Sequence, residues 1–162
     1  MGRLNRRSFT LAGAALAAAG IASRSGRAEA FEVVRSDEEW RRLLTPAQYA
    51  VLRKGGTEWA GSSPLDGEKR TGTYHCAGCD LALFASTTKY DSRTGWPSFW
   101  QPLPNAIGTK PERTLFGIQT EVHCRRCGGH LGHVFEDGPK PTGLRYCMNG
   151  IAMTFKPTGA GS

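Results

Sequence analysis

Apolar residues change their spacing along this chain, and each change predicts a different kind of structure. Phe9 to Ala22 is an uncharged block of mostly Ala, Gly and Leu with no helical or strand period. From Ser36 onward the spacing becomes helical. Trp40, Leu43 and Leu44 fall on one face, and Ser36-Asp37-Glu38-Glu39 forms a capping box that starts the turn. Thr45 repeats the logic, with Pro46 at the first helical position. That second helix carries Tyr49, Val51 and Leu52 and stops at Gly55-Gly56. After Gly56, short runs rich in β-branched and aromatic residues are cut by Gly, Pro, Asp and Ser. Gly72 to His75, Thr114 to His123, Leu131 to Glu136 and Ile151 to Lys156 are predicted strands. Thr87 to Gly108 holds Gly95, Pro97, Pro102 and Pro104 and is predicted to be mostly loop. The pattern predicts a mainly β (α+β) domain, antiparallel, with two short helices packed at one end.

The amino terminus stands outside that domain. Arg3, Arg6 and Arg7 precede the apolar block, and Ala28-Glu29-Ala30 is a small-x-small cleavage signature. The block is 14 residues long, short of the roughly 20 that span a bilayer as a helix. A retained membrane anchor is the competing reading. Asn5-Arg6-Arg7-Ser8-Phe9-Thr10 resembles the twin-arginine export signal. The resemblance implies that residues 1–30 are a removed signal peptide, that the twin-arginine export machinery carries the precursor, and that the mature protein resides in the periplasm. Residues 31–156 then form one domain, and 157–162 a small polar tail expected to fray.

Charge looks different once the leader is set aside. The whole chain of 162 residues carries +7. Five of its 21 basic residues (Arg3, Arg6, Arg7, Arg24, Arg27) and one of its 14 acidic residues (Glu29) lie in the leader, so the remainder carries 16 and 13, a net +3. That balance is ordinary and argues against nucleic acid as a partner.

The chemistry sits in the five cysteines. Cys76 and Cys79 form one C-x-x-C pair, and Cys124 and Cys127 form another. Two pairs supply the four thiolates of a closed structural zinc site, which leaves no open position for substrate. Two disulfides are the alternative, since an oxidising compartment permits them. Gly78 and Gly128-Gly129 are expected to give the knuckles backbone freedom, and Arg125-Arg126 to be a solvated knuckle beside the thiolates.

Cys147 is left unpaired, a candidate nucleophile. If its segment is extended, Arg145, Cys147 and Asn149 share one face, and the Arg145 cation favours the thiolate. An inert buried cysteine is the blander alternative. His130 and His133 lie within one short turn, and a histidine there can donate a proton to a leaving oxygen. Trp96 and Phe99, on a Pro-containing loop, can wall a small apolar pocket, although aromatic residues usually mean core.

In order, Cys76-x-x-Cys79, Gly95-Trp96-Pro97-Ser98-Phe99, Cys124-x-x-Cys127, His130-Leu-Gly-His133-Val-Phe135 and Arg145-Tyr-Cys147-x-Asn149 resemble the B-type peptide methionine sulfoxide reductases. The similarity spans about residues 38 to 156. It implies two antiparallel β-sheets in a tent-like arrangement, with one structural zinc far from the active site. It also implies reduction of the R epimer of methionine sulfoxide in peptides and proteins, each epimer needing its own enzyme. By that resemblance Cys147 is the nucleophile and becomes a sulfenic acid, and Trp96 holds the sulfoxide methyl group. His130, His133 and Asn149 line the site, with His133 nearest the oxygen, and Arg145 supports the thiolate. Many members carry a resolving cysteine just before Gly-Trp-Pro-Ser-Phe, where this chain has Thr94. A one-cysteine enzyme is therefore expected, re-reduced by a thioredoxin-like protein or another external thiol. Gly61-Ser-Ser-Pro-Leu65 departs from a phenylalanine-containing segment common in the family. Two other functions stay open: a non-enzymatic zinc module that binds a protein partner, and a cysteine hydrolase using Cys147 and His133.

Overall fold

The structure is a computed structural model and describes residues 30–159. The leader and the end of the tail lie outside the described residues. Both helices begin where their caps dictate. The first helix, α1 (Asp37–Leu43), is capped by Ser36, whose side chain accepts from Glu39 N while Glu39 reaches back. The second, α2 (Pro46–Leu52), repeats this with Thr45 and Gln48. Trp40, Leu44, Tyr49, Val51 and Leu52 are buried, but Leu43 is 53% exposed. The apolar stripe of α1 is therefore narrower than its spacing suggests: Trp40 and Leu44, one turn apart, face the core, and Leu43 is left on the solvent side.

Among the described residues, nine strands follow in two antiparallel sheets. The small sheet has the order β2-β1-β9, with β1 Gly72–Cys76, β2 Ala82–Ala85 and β9 Met153–Pro157. The large sheet has the order β3-β4-β8-β7-β6-β5. Its strands are β3 Lys89–Tyr90, β4 Ser98–Phe99, β5 Ile107–Thr114, β6 Gly117–Cys124, β7 His130–Phe135 and β8 Arg145–Met148. Four predicted strands are present with shifted ends. Pro157, assigned to the tail, pairs with Gly72, and Thr158 N donates to Thr71 O at 2.8 Å, so the chain stays tied down through 158.

Aromatic packing joins the sheets. Phe84 of β2 stacks on Phe99 of β4 with centroids 4.3 Å apart, and Tyr74 of β1 meets Phe99 edge-on at 4.9 Å. All three are fully buried. Tyr146 of β8 leans on Phe84 from the same side, at 5.9 Å. The face of β8 opposite Cys147 is thus core, as alternation along a strand requires.

Candidate active site

Cys147 stands mid-strand in β8, between β4 and β7. Ser98 is its register partner on one side and His133 on the other, and the same row continues through Glu121 to Lys110. Close approach of β7 depends on Gly132, because a Cβ there would lie 2.1 Å from the Cys147 carbonyl oxygen. A pocket of about 220 Å³ opens in front of the thiol. Trp96, His133, Asn149, Phe135, Phe116 and Thr57 help to line it. None of the other four cysteines does.

The thiol environment is a balance in which burial is the largest influence and pushes the Cys147 pKa above the usual thiol value. The Arg145 charge and contacts from Thr94 and Ser98 pull it down without cancelling the rise. That balance works against the thiolate expected from the Arg-x-Cys spacing. Arg145 is already engaged: it pairs with both oxygens of Asp137 at 2.8 Å and lies over the Phe135 ring at 4.4 Å. A guanidinium neutralised by a carboxylate lends less field to its neighbour.

Thr94 reaches Cys147, its hydroxyl 4.0 Å from Sγ. Ser92 bridges it to Ser98 through contacts of 2.8 and 2.7 Å. The side chains that neighbour Cys147 on this side are hydroxyls.

The other expected residues divide by role. Trp96 is in the pocket wall, its indole N–H donating to the Glu58 carbonyl at 3.1 Å. His133 is also in the wall, and its Nε2 lies 2.7 Å from Glu112 Oε2. His130 is buried behind it, with Nδ1 2.8 Å from Glu121 Oε1 and its ring 5.4 Å from that of His133. Asn149 spends both ends of its amide on backbone: Oδ1 accepts from Glu58 N and Nδ2 donates to Leu131 O. It braces the site as well as lining it. Phe99 is placed in the inter-sheet core and is absent from the pocket wall, a correction to its expected contact with substrate.

Sequence reasoning missed Glu112, Thr57, Glu58, Phe116 and Gln119. Glu58 is the hub among them. Its carboxylate accepts from Gly150 N and Ile151 N, while its backbone holds Asn149 and Trp96. Its only sequence signal was a lone acid just after the Gly55-Gly56 stop. Where the family phenylalanine segment is lacking, Ser63 is buried and Leu65 packs on the core.

The four remaining cysteines form a separate cluster whose sulfurs all lie within 4.8 Å of one another. Cys76 and Cys127 are 3.7 Å apart, and Cys79 and Cys124 3.5 Å. Tetrahedral thiolates about 2.3 Å from zinc are separated by about 3.8 Å, so the donor set fits that metal. All five cysteines are free, and these two approaches run between the motifs. The two-disulfide alternative thus finds no pairing here. The knuckles differ from expectation in one detail. Gly128 takes a positive φ of 68°, but in the first knuckle that conformation falls on Asp80, at 61°, and not on Gly78. Arg126 Nη1 donates to Cys79 O, and Arg53 Nη1 to Cys127 O, so cations do flank the cluster.

Comparison with known proteins agrees with this geometry. The model of the SelR domain family matches residues 44–157. A peptide methionine sulfoxide reductase MsrB of Leptospira interrogans is 50% identical over 127 residues, covering 78% of this chain and 97% of that protein. Its counterpart in Pseudomonas putida strain W619 is 54% identical over 121 residues, covering 74% and 91%. One from Methanosarcina barkeri is 50% identical over 125 residues, covering 76% and 88%. The chain belongs to the SelR domain family, in company with these MsrB proteins.

Proposed function

We propose that this protein reduces methionine-R-sulfoxide in peptides and proteins to methionine. The observation that carries the reading is a lone cysteine in an aromatic-walled pocket with a carboxylate-paired histidine, in a chain about half identical to proteins named for this activity. Trp96 and Phe135 offer apolar surface to the substrate methyl group, and His133 faces the sulfoxide oxygen. As the substrate settles, Cys147 gives up its proton to water and attacks the sulfoxide sulfur. The S–O bond breaks as the oxygen passes to Cys147 with a proton from the His133–Glu112 pair. Methionine leaves, and Cys147 has become a sulfenic acid, oxidised by the two electrons the sulfoxide gained. Glu112 is part-exposed, so the pair can recover its proton from water. With hydroxyls and no thiol beside Cys147, two external thiols close the cycle. They take up the oxygen as water and leave as a disulfide, while Cys147 returns to the thiol.

Cys76, Cys79, Cys124 and Cys127 would hold a structural zinc, which supplies cross-linking and takes no part in the reaction. Export through a twin-arginine leader to the periplasm completes the reading, and Tat-dependent appearance of a form beginning near residue 31 tests it. The partner-binding alternative gains no support from a pocket built around a nucleophile. The deciding assay uses separated R and S sulfoxide peptides with dithiothreitol as reductant. Turnover of R alone is expected, and turnover of S alone or of neither would refute the function.

A further inference from the structure

The hairpin of β5 and β6 inverts the usual logic of burial at its tip. Leu115 is 100% exposed, Phe116 89% and Ile118 73%. Large apolar side chains held together in water mark a contact surface more often than chance. This tip is not slack. Thr114 Oγ1 donates to Gly117 O and accepts from Phe116 N, both at 3.1 Å, and Gly117 turns the chain at a φ of 104°. The side chains are thus presented on a braced turn, which lowers the ordering cost of contact.

What covers them is indicated by the neighbouring cavity. Phe116 and Gln119, from this same hairpin, line the pocket in front of Cys147. A further residue of β5, Glu112, holds His133. The exposed tip is therefore continuous with the wall that a sulfoxide must pass. Residues flanking an oxidised methionine at Cys147 come within reach of Phe116, which lines that pocket. We infer, building on the function proposed above, that the Leu115-Phe116-Ile118 tip binds apolar side chains flanking the oxidised methionine in an extended or unfolded polypeptide. The site thereby selects sulfoxides in apolar sequence context. Methionines of cores and interfaces are such residues, and oxidation exposes them together with their neighbours.

The test compares three substrates with dithiothreitol as reductant, so that docking of a protein donor plays no part. They are N-acetyl-methionine-R-sulfoxide amide and two R-sulfoxide peptides of equal length, one flanked by Leu and Val, the other by Ser and Gly. For the native sequence, kcat/KM for the apolar peptide should exceed that for the polar peptide by about tenfold, mostly through KM. In the double variant Leu115→Ser/Ile118→Thr the preference should shrink to about twofold, with the acetylated amino acid affected far less. An unchanged melting temperature is expected, since both residues are solvent-exposed, and Phe116→Ser should lower KM-dependent discrimination further. The inference fails if the native sequence shows no preference, or if the preference survives in the double variant. It also fails if the double variant instead converts a sedimenting dimer to a monomer, because the tip would then be a surface for a second copy. Reduction of none of the three substrates would overturn the activity itself, and the role of the tip with it.

Discussion

Burial and the Arg145 charge oppose each other at Cys147, and this contest sets the pH behaviour. Burial raises the thiol pKa and Arg145 lowers it. The reactive thiolate is then scarce at neutral pH and grows as pH rises, so alkylation of Cys147 should accelerate by about tenfold per pH unit below the pKa. Arg145→Gln leaves burial opposed only by the contacts from Thr94 and Ser98. The alkylation profile should move to higher pH, and the rate at pH 7 should fall by roughly tenfold. A profile that stays in place would show that Arg145 serves Asp137 and Phe135 alone. Thr94 gives a second expectation. Its hydroxyl lies 4.0 Å from Cys147 Sγ, so Thr94→Cys should convert the enzyme to one that closes an intramolecular disulfide after one turnover. Mass spectrometry under non-reducing conditions reads that bond directly. Persistence of a sulfenic acid in that variant would argue that the loop cannot bring a second sulfur to the first.

Secondary structure shows why some of the molecule could be read from the chain and some could not. The helices were legible because caps are local chemistry: Ser36 with Glu39 and Thr45 with Gln48 need no tertiary partner. β5 was invisible because it is an edge strand carrying Pro111 among charged residues, with no buried face to enforce alternation. Losing β5 meant losing Glu112 and the hairpin wall of the pocket, since both depend on its pairing with β6. β3 and β4 are two residues long and too short to hold any pattern. Phe99 shows the same limit from another side. Its place in the same loop as Trp96 suggested substrate contact, but Phe99 falls in β4 opposite Tyr146, next to Ser98 that pairs with Cys147, and it stacks on Phe84. Phe99→Ala should therefore cost about 3–5 kcal/mol of stability, seen as a lowered denaturation midpoint. Where the variant remains folded, KM should be little altered. A raised KM at unchanged stability would return Phe99 to the pocket.

Across the molecule, the cysteine cluster and the active site meet through shared backbone. Ala77 N, in the first knuckle, donates to Ala152 O, and the turn that holds Ala152 begins beside Asn149 and is anchored by Glu58. Val33 N donates to Arg126 O, so the second knuckle holds the chain leading into α1. If the cluster holds zinc as proposed, stripping the metal with a strong chelator should loosen both sheets together, lowering Tm by more than about 10 °C. Activity should fall with structure and not ahead of it. Full activity and an unchanged melting curve in metal-free protein would remove zinc from the fold. The most direct test of the whole scheme is a single turnover without reductant, in which reduced enzyme meets excess R-sulfoxide peptide and the products are weighed. One methionine peptide per enzyme is expected, with one oxygen added at Cys147 as a dimedone-reactive sulfenic acid and the four other thiols unchanged. Methionine formed by a Cys147→Ser variant, or a disulfide in place of the sulfenic acid, would contradict it.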